Sequence, residues 1–482
     1  MTAVKFSPTS GAILALFFLA GCAIGPDYKR PAVPTPATYR DQPAAGERSL
    51  ADLAWWDIYR DDRLKELIHT ALADGFDARI AAARVEQFRA IAAEVHGLRF
   101  PGVGYAANAD RGRNAQLGNA YTQGAGAIAN GFDGYLGVAW EFDLWGRVRR
   151  LDEAARAQYL ASEEARRGVL LSLVSEVATT YFELSELDEE LAIAHRATDS
   201  FCDSLKLFNQ RLEGGIASRL ETSSAEAAAA TSAARIPALE SLIALKENQL
   251  SVLLGRNPGP VVRGAHLADQ TLPPEVPAGL PSALLERRPD IRQAEDAARA
   301  ANAGIGVTVG GFLPRIGLSA ILGAVSPQLD HLTSSKAGLW SVGAQATGPL
   351  FQGGGLYGQY QQSKAAWEEA KLRYQQTALN AFAEVADALT LRQKLAETRV
   401  QQERAVRAYE DAVKFAKERY ASGNTGYFEL LQTQQLLYPA QVALAQTRRD
   451  ELTAVVQLYK ALGGGWNLPD AAAWTGSGVK GK

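Results

Sequence analysis

Gly423-Asn424-Thr425-Gly426 breaks a run that extends without proline from Gly358 to Ser422, and a second run resumes at Tyr427 and returns toward Leu462-Gly463. The same plan occurs earlier: a run from Arg147, a break at Gly214-Gly215, and a return toward Leu254-Gly255. Gly215 and Gly423 stand 208 residues apart, as do Leu254 and Leu462, and as do Glu176-Val177-Ala178 and Glu384-Val385-Ala386. A fixed offset across several landmarks is the mark of internal duplication. Each long run, read as a helix, spans roughly 100 Å at about 1.5 Å per residue. A helical hairpin of that length has no compact core of its own, so other copies must pack it.

Composition narrows the class. The chain has 482 residues, with 50 Lys and Arg against 53 Asp and Glu, a net charge of −3. No basic patch points to nucleic acid and no acidic tail to disorder. Past the N-terminus no apolar run reaches the roughly 18 residues of a membrane helix. Entry into a membrane, if it occurs, is by strands or by lipid. Cys22 and Cys202 are the only cysteines, which excludes a disulfide framework and a Cys-based zinc site. Cys202 reads as a small hydrophobe on a helix face.

Cys22 reads differently. Lys5, the apolar segment Ala12–Ala20, and Leu19-Ala20-Gly21-Cys22 form a signal peptide over 1–21. Small residues just before a cysteine resemble the bacterial lipoprotein signature, in which cleavage precedes the cysteine and the new N-terminus is acylated. Ala23, in place of an aspartate, favours delivery to the outer membrane. Several acyl chains at about 0.8 kcal/mol per buried CH₂ anchor stably. Residues 22–62 then read as a lipid-anchored extended segment, proline-spaced through Pro43 and followed by Trp55-Trp56 as packing anchors. An amphipathic helix is expected over Leu64–Val95, with Leu64, Leu67, Ile68, Ala71 and Leu72 on one face.

Beyond Phe100-Pro101 the period changes to two. Val103, Tyr105, Ala107 and Ala109 alternate with small or polar residues, and a polar segment Arg111–Asn130 follows. Then Leu136, Val138, Trp140, Phe142 and Leu144 share one face against Gly137, Ala139, Glu141 and Asp143. The second half answers with Ile316, Leu318, Ala320 and Leu322, a polar loop through His331–Lys336, and Trp340, Val342, Ala344 and Ala346. Alternation of this kind suits a membrane β-strand, apolar toward lipid and polar toward a lumen. It also suits any half-exposed antiparallel strand. Four strands per chain cannot close a barrel, since closed barrels begin at about eight, and open edges are not tolerated in lipid. The barrel reading therefore needs several chains.

The helical part carries a 4-3-4-3 seam through Leu187, Leu191, Ala194, Thr198, Phe201, Leu205, Phe208 and Leu212, with Tyr181 and Leu184 before it. Val406, Tyr409, Val413, Ala416 and Tyr420 repeat it. Ala225–Ala230 and Ala233-Ala234 on the returning run allow close approach of neighbours. The fold class is thus α+β and internally duplicated. The boundaries are a first repeat at 63–262, a proline-rich crossover at 263–289, a second repeat at 290–466 and a C-terminal tail at 467–482.

No catalytic constellation appears. His69, His96, His195, His266 and His331 are scattered without metal spacing. Gly304-Ile305-Gly306 and Gly124-Ala125-Gly126 imitate pieces of nucleotide loops without the full fingerprint or its βαβ context. The expectation is no enzyme, no metal and no cofactor.

The crossover is the most specific stretch. Leu280-Pro281-Ser282-Ala283-Leu284-Leu285-Glu286-Arg287-Arg288-Pro289-Asp290-Ile291-Arg292 with Ala294-Glu295 resembles the signature of TolC-like outer-membrane efflux proteins, in the lipoprotein branch serving resistance-nodulation-division pumps. Cys22–Tyr28, Trp55-Trp56-Asp57, Ala301-Asn302 before Ile305-Gly306, and Phe312-Leu313-Pro314 match the same family, covering Cys22 to about Leu468. Gly75 departs from it, standing where asparagine is usual.

The resemblance implies a homotrimer with a twelve-stranded transmembrane β-barrel continuing into an α-helical coiled-coil periplasmic tunnel. It implies a periplasmic adaptor and an inner-membrane pump as partners, and outer-membrane lipid around the strands. Gly214, Gly215, Gly423 and Gly426 would turn the hairpin tips. Phe428, Glu429 and Gln432 would form the periplasmic constriction, with Glu221 in the corresponding place of the first repeat and Arg219 beside it. Gln432 stands where many relatives carry aspartate, so an acidic ring would rest on Glu429. An acid in the first helical turn also serves the macrodipole without any channel role. Two alternatives stay open: a periplasmic structural coiled-coil lipoprotein with a soluble sheet, and an exit duct for protein secretion.

Overall fold

The computed structural model describes residues 23–40, 50–52, 58, 60–113, 128–270, 279–424 and 426–464. The signal peptide, Cys22, Trp55-Trp56-Asp57, most of the polar segment Arg111–Asn130, part of the crossover and the tail at 467–482 lie outside the described residues. In chain order the elements are α1 (Asp62–Asp74), α2 (Phe76–Gly97), β1 (Gly102–Arg113), β2 (Ile128–Phe142), α3 (Arg147–Glu213) and α4 (Arg219–Leu253). There follow α5 (Pro281–Arg287), α6 (Pro289–Gly310), β3 (Arg315–Ser326), β4 (Gly338–Thr347), α7 (Gly355–Ala421) and α8 (Tyr427–Ala461). The duplication is explicit in their lengths: α3 and α7 have 67 residues each, α4 and α8 have 35 each. Among the described residues no helix is long and apolar enough to cross a membrane.

Two compact units emerge, and each draws on both repeats. The first comprises, among the described residues, 23–32, 84–113, 128–163 and 293–375. Its centre is a four-stranded antiparallel sheet in the order β1-β2-β3-β4. The strands run further than the apolar alternation: β1 continues through Arg113 and β2 begins at Ile128, with Arg111 opposite Asn130. Polar residues extend the ladder because pairing is made by the backbone.

The second unit comprises the described residues within 33–83, 164–292 and 376–464. Its core follows the seam: Tyr181, Leu184, Leu187, Ala194, Phe201 and Phe208 are buried, as are Val406, Val413, Ala416 and Tyr420. The expected helix Leu64–Val95 is two helices, broken at Gly75, whose backbone leaves the helical region at φ −59, ψ 134. A side chain there would meet the carbonyl oxygens of Ala71 and Leu253 at 2.2 and 2.9 Å. Together the last turn of α1 and the end of α4 leave no room for a Cβ.

A buried carboxylate ties this unit together. Asp61 caps α1, accepting from the backbone N–H groups of Arg63 (2.9 Å) and Leu64 (3.2 Å). It also accepts from the Tyr181 hydroxyl (2.7 Å), the Gln270 amide (2.7 Å) and the Ala265 N–H (3.3 Å). Arg288, central in the crossover signature, is likewise buried. It donates to the Ala461 carbonyl at the end of α8 (3.1 Å), forks onto Asp290 (2.9 and 2.7 Å), and pairs with Glu384 (2.7 Å). The signature is therefore a device that closes the second repeat's last helix onto the crossover.

Midway along α3, Glu186 is buried beside Glu190, with Arg449 of α8 at 3.5 Å. Burial, and then the neighbouring Glu190 carboxylate, push the Glu186 carboxyl up to about 8 against the pull of Arg449. Between pH 4.5 and about 8 the folded chain keeps a proton that the unfolded chain has released. Stability therefore falls as pH rises through that window. Glu186→Gln is expected to raise apparent stability by about 1–2 kcal/mol at neutral pH, the gain vanishing near pH 4.5. Thermal melts of the two proteins across this range check it.

Candidate functional site

The sheet and the helical tips carry the candidate functional residues. On the sheet, register partners line up in rows across all four strands. Tyr105, Leu136, Leu322 and Trp340 form one row, exposed by 87%, 56%, 67% and 75%. Val103, Val138, Ala320 and Val342 form the next. On the opposite face the corresponding rows are Gly104, Gly137, Ile321 and Ser341, then Gly102, Ala139, Ser319 and Gly343, with Glu141, Gly317 and Gln345 beyond. One face is a continuous apolar surface that no described residue covers; the other is mostly small and polar, with Ile321 and Leu339 among its apolar exceptions. A sheet in water buries its apolar face, so this polarity is inverted. At about 3.3 Å per residue, ten residues of β4 tilted by about 40° span about 25 Å, the height of an outer-membrane apolar band. Indoles mark the helix-side ends: the Trp140 and Trp145 N–H groups donate to the carbonyls of Arg99 (3.1 Å) and Pro314 (2.8 Å).

The segment that follows Cys22 is fastened at this same end of the strands. Ile24 N–H donates to the Trp145 carbonyl (3.0 Å). The buried Arg150 guanidinium gathers the carbonyls of Ala23, Ile24 and Gly25 at 3.3–3.5 Å and the Asp27 carboxylate at 2.8 Å. The Asn302 amide donates to the Pro26 carbonyl (2.9 Å), and Gly25 and Gly306 approach so closely that neither tolerates a Cβ. Tyr28 meets the Trp367 ring edge-on at 6.1 Å, with Arg299 over its own ring at 4.9 Å. Several motifs that look unrelated along the chain are thus one fastening. Arg150 escapes sequence reading because its partners in this fastening lie over 120 residues away.

At the tips, α3 and α7 end alike. Gly215 and Gly423 adopt φ of +73 and +75, the left-handed conformation that closes a helix C-terminus. Ile216 N–H donates to the Arg211 carbonyl (2.8 Å), and Asn424 N–H to that of Arg419 (2.9 Å). Gly214 precedes its turn, and Gly426 is the N-cap of α8. The two hairpins are joined by Phe208, which meets Tyr420 at 5.3 Å and Tyr427 at 4.7 Å. Arg211 stacks on Tyr420 at 4.1 Å and donates to its carbonyl (3.1 Å). The Gln434 amide is buried against the hydroxyls of Ser200 (2.9 Å) and Ser204 (3.1 Å).

The gate candidates divide. Phe428, Glu429 and Gln432 are all exposed on the first turns of α8, while Tyr427, Leu430 and Leu431 face the core. Glu429 pairs with Arg419 at 3.3 Å, both half-exposed, a contact of little energetic weight. Glu221 accepts the Ser218 N–H (2.8 Å) and closes a capping box on α4, the helix-end role open to any acid there. Arg219 is exposed beside it.

An apolar sheet sector that is uncovered and unpaired at both edges among the described residues, carried by a duplicated chain of long helices, defines a wall segment of an outer-membrane channel. The chain belongs to the outer membrane efflux protein family, which it matches over residues 67–256 and 280–464. It is 36% identical to the toluene efflux pump outer membrane protein TtgC of Pseudomonas putida, covering 93% of this chain and 94% of that one. It is 30% identical to the cation efflux system protein CusC of Escherichia coli, covering 93% and 96%. The solved outer-membrane channel OprN superposes with a TM-score of 0.85 at 30% identity, covering 92% of this chain and all of that one.

Proposed function

We propose that this chain is the exit duct of a tripartite efflux system, conducting small toxic compounds passively across the outer membrane of a Gram-negative bacterium. The observation that carries this reading is the apolar face of the sheet, which no described residue covers, flanked by β1 and β4 edges that no described strand pairs. Three copies would pair β4 of one with β1 of the next, giving twelve strands with no edge left in lipid. Their helices would form the periplasmic tunnel, energised by an inner-membrane resistance-nodulation-division pump through a periplasmic adaptor at the tips. Toluene and cations, the cargo named for TtgC and CusC, mark the class of solute. Acylation at Cys22 would add a lipid anchor, and the fastening of Ala23–Tyr28 by Arg150 and Asn302 supports an N-terminus held near the membrane-facing strands.

Phe428, Glu429 and Gln432 are proposed as the constriction, with Glu221 behind its cap. Like charges gathered about a three-fold axis bind cations and filter solutes. Native mass of the detergent-extracted, acylated protein should read three chains, and bilayer reconstitution should give conductance blocked by divalent cations. Glu429→Ala is expected to weaken that block about tenfold. A stable monomer would sink the duct; unchanged block would remove Glu429 from the gate.

A further inference from the structure

Where the strands meet the helices, the arginines that open α3 are each matched by a carboxylate. Arg147 forks onto Glu141 (2.9 and 2.8 Å). Arg149 reaches Asp143 (3.3 Å), whose two oxygens also accept the backbone N–H groups of Val148 (3.0 Å) and Arg149 (2.9 Å). Arg150 holds Asp27 and Glu153, both at 2.8 Å. Arg315, the first residue of β3, differs. It is exposed and makes no hydrogen bond or ion pair among the described residues. Glu141 lies opposite Gly317 and Phe142 opposite Ile316, so the acids of β2's end nearest to Arg315 are Glu141 and Asp143, both already engaged. The duplication does not require an arginine here: β1 follows Phe100-Pro101 with Gly102, as β3 follows Leu313-Pro314 with Arg315.

Strand alternation puts Arg315 on the face opposite the apolar one, and polar donors surround it there. Thr347 stands directly across from it on β4, and Gln345 is across from Gly317. The Gln345 side chain lies over that glycine: a Cβ at Gly317 would sit 3.1 Å from its amide nitrogen. A guanidinium, a hydroxyl and an amide therefore share one exposed corner, with opposed Cβ atoms about 5 Å apart. The guanidinium offers a planar fork of N–H donors that matches a carboxylate or sulfonate. At the far end of the same face the sign reverses: Asp110 and Asp133 lie in its rows, with the Asn108 amide donating to Asp133 (2.9 Å).

We propose that Arg315, with Thr347 and Gln345, is a specificity-determining site for organic anions, carboxylates and sulfonates, at the helix-side end of the barrel lumen. The site rests on the exit-duct reading, in which this face lines the lumen. Three copies set three unpaired guanidinium groups around the passage where solutes leave the helices for the strands. Fixed charge of one sign on a channel wall raises the local concentration of solutes of the other sign. Its reach is about 8 Å at physiological salt, so the ring acts on solutes that pass close to the wall. The acids at the outer end keep an anion from being held along the whole lumen, as conduction requires.

The test is the reversal potential of the full chain, detergent-extracted and reconstituted in planar bilayers, under a gradient of potassium benzoate. Arg315→Gln should lower the benzoate-to-potassium permeability ratio about threefold at low salt, and Arg315→Lys should keep most of it. Gln345→Glu, which sets a carboxylate beside the guanidinium, should lower the ratio in the same direction. Arg111→Gln removes the same charge from the other face, where Arg111 lies opposite Asn130, and should leave the ratio unchanged. In about 1 M salt the screening length falls to about 3 Å and the differences should shrink. A ratio that Arg315→Gln and Gln345→Glu leave unaltered, or that Arg111→Gln lowers equally, overturns the site while the duct stands. Absence of conductance in the wild type would instead remove the duct, and the site with it.

Discussion

Leu322→Arg is expected to cost about 2–4 kcal/mol in each chain and to remove the assembled protein from the outer-membrane fraction. Leu322 sits in the centre of the apolar row, between Leu136 and Trp340, on a sheet face that nothing described covers. If that face meets hydrocarbon, a guanidinium there must desolvate or distort the bilayer, and an assembly of three copies suffers the cost three times. Ser341→Arg, on the opposite face and also exposed, is the comparison. There the new charge enters a water-filled lumen and should shift stability by less than about 0.5 kcal/mol. A soluble sheet predicts the opposite for Leu322: an arginine replacing a two-thirds exposed leucine would be neutral or improve solubility. Heat-resistant oligomer on gels and membrane fractionation separate the two readings. Equal behaviour of the two variants would favour the structural lipoprotein over the channel.

Much of this architecture is legible in the chain because it is written in local chemistry. The seam through Leu187–Leu212 and the period-two alternation are each set by neighbours within a few residues. So are the glycines that close α3 and α7. What escapes is long-range. Gly75 splits a helix that its periodicity presents as continuous, at a point where the carbonyls of Ala71 and Leu253 leave no room for a side chain. The strands outrun their apolar pattern at Arg111–Arg113 and Ile128–Asn130, since a ladder is continued by backbone pairing whatever the side chains. The signature Leu280–Arg292 is conspicuous as a motif, yet the work of Arg288 appears only when Ala461 and Glu384 are brought to it. At the tip, Glu221 and Glu429 look alike in sequence. One closes a capping box and the other faces outward, a distinction set by whether serine or glycine occupies the N-cap.

Asp61→Ala should produce the largest loss of stability among changes remote from the membrane strands, about 3–4 kcal/mol. The carboxylate caps α1 and accepts hydrogen bonds from Tyr181, Gln270 and Ala265, drawing together the N-terminal segment, α3 and the crossover. A lost cap accounts for about 1 kcal/mol, and stranding buried donors accounts for the remainder. Relaxation cannot easily restore contact on one side: Gly264 packs so tightly that a Cβ would lie 2.4 Å from the Asp61 carboxylate. Burial alone would raise the carboxyl, but the bonds from Tyr181, Gln270, Leu64 and Ala265 more than offset it and hold it below 3.8. An acid depressed on folding adds stability above its unfolded value and loses it as pH falls through the folded one. The wild-type advantage over Asp61→Ala should therefore be full at neutral pH and shrink once pH drops below 3.8. Denaturant melts at neutral pH and near pH 3 measure that difference. A gap of the same size at both would mean that the neutral carboxyl holds the junction as well as the ion does, and the charge-assisted hub would have to be abandoned.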